Sequence, residues 1–143
     1  MSKAKQKGTA WETECVRYLE SYTKHEFMRL PLVGTKDVGD IRCLDLPEFV
    51  FECKNSKDAL SSLSQIMKET EQERINADAK FSAALVKRRN FGTGGAYVVM
   101  EMHTFAQLIK ERLDGRGNQV GSTFDTRVQG SESDAEQMVE GTG

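Results

Sequence analysis

The sequence predicts an α/β protein in which a mixed central sheet is flanked by helices. Three observations predict it. Amphipathic helical spacing occurs near the N-terminus and again past residue 58, three short strand-like segments lie between, and a strand–turn–strand–helix run follows. The predicted order is α-β-β-β-α-β-β-α. A chain of 143 residues, 38% hydrophobic and 29% charged, suits one core of ordinary size.

Residues 1–8, MSKAKQKG, are expected to form a basic flexible leader, either a phosphate-binding arm or a solubilising one. The first helix is predicted over residues 9–22. Trp11, Cys15, Tyr18, Leu19 and Tyr22 gather on one face, with Val16 on its flank. Glu12 lies about 55° from the centre of that stripe and Glu14 about 105°, at 100° per residue. Glu12 is therefore drawn toward the core and Glu14 toward solvent.

Strand-like segments follow at 26–33, 38–45 and 48–54, punctuated by Gly34, Gly39 and Pro47. The last, EFVFECK, alternates: Phe49, Phe51 and Cys53 face one way, Val50, Glu52 and Lys54 the other. Residues 58–79 read as a long helix capped by Asp58, with Leu60, Leu63, Ile66, Met67 and Ala77 buried and the polar stretch KETEQER solvated.

A strand at 81–87 leads through a turn at 90–95 into a strand at 96–102. The turn, NFGTGGA, lacks the Lys-Ser/Thr that completes a P-loop and is read as a hairpin connection. Thr104 with Gln107 forms a capping-box signature for a helix ending near Leu113. The folded domain is thus expected over 9–113, and residues 114–143 as a flexible acidic tail.

Composition narrows the function. No apolar run approaches the roughly 20 residues of a membrane span. No apolar stretch follows MSKAKQKG as a signal peptide requires. A cytoplasmic protein without a membrane partner is the expectation. Cys15, Cys43 and Cys53 form neither a disulfide framework nor a zinc pattern, and His25 and His103 share no motif. Net charge is −2, but residues 131–143 hold four acids and no base; the remainder has 20 bases against 18 acids, a net of +2. Charge permits a nucleic-acid partner without demanding one.

The informative cluster is Asp40 followed by Glu52-Cys53-Lys54. Residues i and i+2 of a strand share a face, about 6.5–7 Å apart, so Glu52 and Lys54 are presented side by side. If the two strands pair as a hairpin, Asp40 and Glu52 converge on one hard cation such as magnesium. Phosphodiester cleavage uses these parts: a metal to neutralise developing charge and acidify water, and a lysine to orient or deprotonate that water or to stabilise charge. Glu12 is placed to add a further ligand.

KGTAWE at 7–12, GTKDVGD at 34–40, FECK at 51–54 and ALVKRR at 84–89 resemble archaeal-type Holliday junction resolvases, of the PD-(D/E)xK nuclease superfamily. The resemblance spans roughly residues 7–105 in order. It implies a restriction-endonuclease-like αβββαβ core and a magnesium-dependent homodimer, manganese substituting, that nicks four-way DNA junctions in recombination and repair. By position it implies Asp40 and Glu52 as metal-binding acids, with Glu12 and the Cys53 carbonyl as further ligands and Lys54 as the catalytic lysine. Arg29, Thr35, Lys36 and Lys87 fall where the family places DNA-contacting or catalytic-loop residues. Arg88 and Arg89 extend that basic group. Gly39 stands where the superfamily's name has proline. Two alternatives stay open: a superfamily nuclease acting on flaps, ends or duplex DNA, and a non-catalytic DNA-binding module.

Overall fold

A computed structural model describes residues 2–118 apart from Val33 and Thr35. The expected DNA contact Thr35 and residues 119–143 of the expected tail lie outside the described residues. The described residues divide into two units, one ending at Thr104 and the other beginning at Phe105.

Within the first unit, helix α1 (Lys3–Thr23) precedes strands β1 (Phe27–Arg29), β2 (Ile41–Cys43) and β3 (Leu46–Lys54). Helix α2 (Leu63–Asn76), strand β4 (Phe81–Val86), a 3-10 turn over Thr93–Gly95 and strand β5 (Tyr97–Val99) complete it. Helix α3 (Met102–Asn118) begins there, and its later turns are the described part of the second unit. The predicted order of helices and strands is the order found. The strands form one sheet, β1-β2-β3-β4-β5, antiparallel except for the parallel β3–β4 pair that α2 connects.

Alternation along the central strands sends neighbouring residues to opposite faces. On one face Phe51, Cys53 and Leu85 pack with Trp11 and Cys15 of α1; on the other Ala84 and Val86 pack with Ile66 of α2. Trp11 is 1% exposed, and its indole N–H donates to the Leu85 carbonyl at 3.0 Å, which fixes α1 across the sheet. The aromatic side of β3 is continuous, with Phe49 stacked on Phe51 at 4.6 Å.

Several boundaries differ from expectation. The helix starts at Lys3, not residue 9, because Ser2 caps it by accepting from the Lys5 N–H at 3.2 Å; the expected leader is its first turns. Strand β1 is three residues long, since only Phe27, Met28 and Arg29 find partners on β2 and Pro31 has no N–H to offer. Helix α2 begins at Leu63; residues 57–62 form turns in which the Ser62 N–H donates to the Asp58 carbonyl, and Leu60 is exposed. Helix α3 runs past Leu113 to Asn118, with Lys110 and Asp114 paired at 2.6 Å one turn apart.

Candidate active site

Strand β3 carries the site, held between hydrogen-bonded neighbours on both sides. Its α2-facing residues are Val50, Glu52 and Lys54, as alternation predicts. Asp40 arrives from the adjoining connection immediately before β2. Its backbone N–H donates to the Phe51 carbonyl at 2.9 Å, and its Oδ2 accepts from the Cys53 N–H at 2.8 Å. Gly39 makes this approach possible. Its φ of +94° is a left-handed conformation, and any Cβ there would collide with Cγ2 of Val50. Proline, fixed near −65°, does not fit this backbone.

Glu12 projects from α1 beside Asp40, and its Oε2 accepts from the Arg29 guanidinium at 3.0 Å. Burial, reinforced by Asp40, pushes the Glu12 carboxyl up to about 7 despite Arg29. The inward tilt of Glu12 and the pairing of Glu52 with Lys54 are therefore both present. The Cys53 side chain turns the other way, toward Cys15, whose contact together with burial raises its thiol pKa; any part Cys53 plays at the site falls to its backbone.

The closest carboxylate group has a different membership from the expected one. Asp37, Glu52 and Glu73 each bring one oxygen within 4.8 Å of the others, the one such group of three or more among the described residues. Neither Asp37 nor Glu73 is singled out by the sequence. Glu73 belongs to KETEQER, which is not a solvated face: Thr70 and Glu73 are buried. The signal is the stripe Ile66–Thr70–Glu73–Ala77, spaced by four, three and four residues, which continues the apolar face with polar letters. Asn76 donates from Nδ2 to the Asp37 carbonyl at 2.9 Å and ties that connection to the end of α2.

Charge is concentrated here without full compensation. Glu52 is 6% exposed; burial first, then Glu73 and Asp40, pushes its carboxyl up to about 11. Burial also pushes Glu73 up to about 7, with Glu52 beside it opposing the rise and Asp37 and Asp40 adding to it. With both carboxyls ionised, Oε2 of Glu52 and Oε2 of Glu73 are buried with no donor. Lys54 supplies one positive charge, its Nζ 3.5 Å from Glu52 Oε1 and 3.6 Å from Oε2 of Glu69, another residue of KETEQER. Burial works against the Lys54 ammonium, but the charges of Glu52, Glu69 and Glu73 outweigh it and raise its pKa.

The remaining expected residues lie around this centre. Arg29 reaches it through Glu12, and Lys36 is exposed on the connection that holds Asp37 and Asp40. Lys87 lies over the Trp11 ring at 5.4 Å and pairs with Glu14 at 3.5 Å, so Glu14 is not simply solvated. Arg88 is half-buried against aromatic rings, and Arg89 is exposed. No helix among the described residues is long and apolar enough to cross a membrane. In comparisons with known proteins, no family model, no curated protein and no solved structure matches this chain.

Proposed function

We propose that the chain is a divalent-metal-dependent DNA endonuclease with a restriction-endonuclease-like core, selective for branched DNA and of the Holliday junction resolvase type. One observation carries this reading. Buried oxygens of Glu52 and Glu73 that meet no hydrogen-bond partner sit beside Asp40, Glu12 and a cationic Lys54 at one end of β3.

A hard cation fits that donor set. The available ligands are carboxylate oxygens, the only nearby thiol faces elsewhere, and the orphaned oxygens lack positive charge. Magnesium is the ion of choice, with manganese substituting. Asp37, Glu52 and Glu73 would hold it, with Asp40, Glu12 and the Cys53 backbone nearby as further donors. When bound, such an ion supplies positive charge opposite a phosphodiester and acidifies water.

The protein's own groups do the rest. Phosphodiester hydrolysis builds negative charge on the phosphoryl oxygens and on the departing sugar oxygen. Lys54, kept protonated by three glutamates, is suited to stabilise that charge and to orient water rather than to remove its proton. Arg29, half-exposed at the Glu12 edge, and Lys36 contact the DNA backbone. A homodimer presents two such centres to a two-fold junction, and symmetry accounts for paired nicks.

The test is a panel of labelled four-way junction, flap, duplex and single strand, each with magnesium, with manganese and with EDTA. Symmetric nicks confined to the junction and abolished by EDTA support the proposal. Cleavage of flaps, ends or duplex assigns the chain to other superfamily chemistry, and binding without any cutting assigns it a non-catalytic role.

A further inference from the structure

Just beyond Lys54, the parallel ends of β3 and β4 open into a cavity of about 250 Å³. Its lining is unlike the acidic centre. Ala59, Leu60 and Val86 supply apolar surface, and Phe91 and Tyr97 supply rings that are 52% and 41% exposed. Arg88 packs against both rings, its guanidinium carbon 3.5 Å from the Phe91 centroid and 4.4 Å from that of Tyr97. Its Nη1 donates to the Gly95 carbonyl at 3.1 Å, which holds the turn in place. Lys57 and Arg89 are exposed at the same cavity and have no carboxylate partner among the described residues.

We propose that this cavity is a binding site for one unpaired nucleotide of the DNA strand, next to the position being cut; it rests on the nuclease reading above. The half-exposed rings of Phe91 and Tyr97, held in place by Arg88, present planar surface to a nucleobase, since aromatic rings stack on bases. Lys57 and Arg89 are placed to receive its phosphates. At about 250 Å³ the cavity is on the scale of a single base. Position sets the relationship to the reaction. Asn55 of the lining follows Lys54 directly, and the Lys87 N–H donates to the Lys54 carbonyl at 2.9 Å, so the pocket is rigidly coupled to the catalytic strand. Selectivity for branched DNA then has a local cause: a flap, or a branch point that has opened, presents an unstacked nucleotide, whereas a continuous duplex must first unstack one.

The test compares Leu60→Trp, which fills the cavity from an exposed position, and Phe91→Ala, which removes part of the stacking wall, with the parent chain. Fluorescence anisotropy in EDTA measures binding to a labelled single strand, a flap and a fully paired duplex. Both variants are expected to lose about tenfold in affinity for single strand and flap, the scale of one lost base stack, and less than about twofold for duplex. Equal losses on all three DNAs, or no loss on any, would overturn the pocket. If Phe91→Ala does not fold, Leu60→Trp decides alone. Cleavage by the parent chain with magnesium is scored separately: cutting with no pocket effect removes only this inference, and a pocket effect without cutting removes only the nuclease reading.

Discussion

Oδ2 of Asp40 accepts a hydrogen bond from the Cys53 N–H at 2.8 Å, which fastens the aspartate to the residue that separates Glu52 from Lys54. Asp40 and the strand triplet are therefore one rigid unit, although twelve residues separate Asp40 from Glu52 along the chain.

Asp40→Asn retains an oxygen acceptor for Cys53 and removes the charge. Glu52→Gln removes the charge where burial already opposes it. Each is expected to fold and to cut at least about a hundredfold more slowly, while DNA binding is kept or improved by the loss of a carboxylate near phosphate. Single-turnover cleavage and anisotropy on the same junction check this. A parental rate in either variant removes that residue from the centre.

Glu73→Gln tests the ligand group that composition conceals. Magnesium or manganese affinity, measured by calorimetry, should fall about 10–100-fold, as for groups that hold or orient a metal site. Glu69→Gln, on the exposed side of Lys54, should change it little, because a solvent-exposed ion pair contributes weakly. The reverse ranking would move the centre away from α2.

The metal-free protein should lose stability as pH rises. Glu12 and Glu73, pushed up to about 7, and Glu52, pushed up to about 11, all stand above the ordinary glutamate value of 4.5. An acid raised in the folded state keeps a proton that the unfolded chain has released. Its contribution is complete below 4.5 and is lost as pH rises through 7 and toward 11. In EDTA the Tm should decline from about pH 5.5 to about pH 8.5, and millimolar magnesium should restore it mainly at the alkaline end, where the carboxylates are charged. A Tm that climbs across that window, or a cation without effect, contradicts the carboxylate cluster.

Gly39→Ala should destabilise by about 1–3 kcal/mol, the scale of a strained backbone conformation. Gly39→Pro, which writes the superfamily's proline into this chain, should cost more. Urea unfolding measures both. Unchanged midpoints would mean that Asp40 reaches Cys53 by another backbone path.

Helix and strand order, the inward tilt of Glu12 and the shared face of Glu52 and Lys54 are legible in the sequence because each follows from a local repeat of 3.6 or 2 residues. Asp37 and Glu73 are not. Glu73 sits in a run of charged letters whose composition suggests solvent, and only its spacing from Ile66 and Thr70 betrays its burial. Asp37 lies on an irregular connection, where no period applies and placement depends on a contact with Asn76 thirty-nine residues away. The N-terminal helix shows the same limit: a string of lysines and small residues reads as a leader until Ser2 is recognised as its cap.

Strand β3 is the middle strand of five, and the sheet's free edges belong to β1 and β5. Fraying at those margins leaves β3 zipped, so its amides should exchange with solvent only when the whole first unit opens. On the proposed function, ion occupancy and global opening are linked equilibria. Whatever grips a cation more tightly also slows the exchange of β3, and a protein starved of metal would be tuned in lifetime as well as in chemistry.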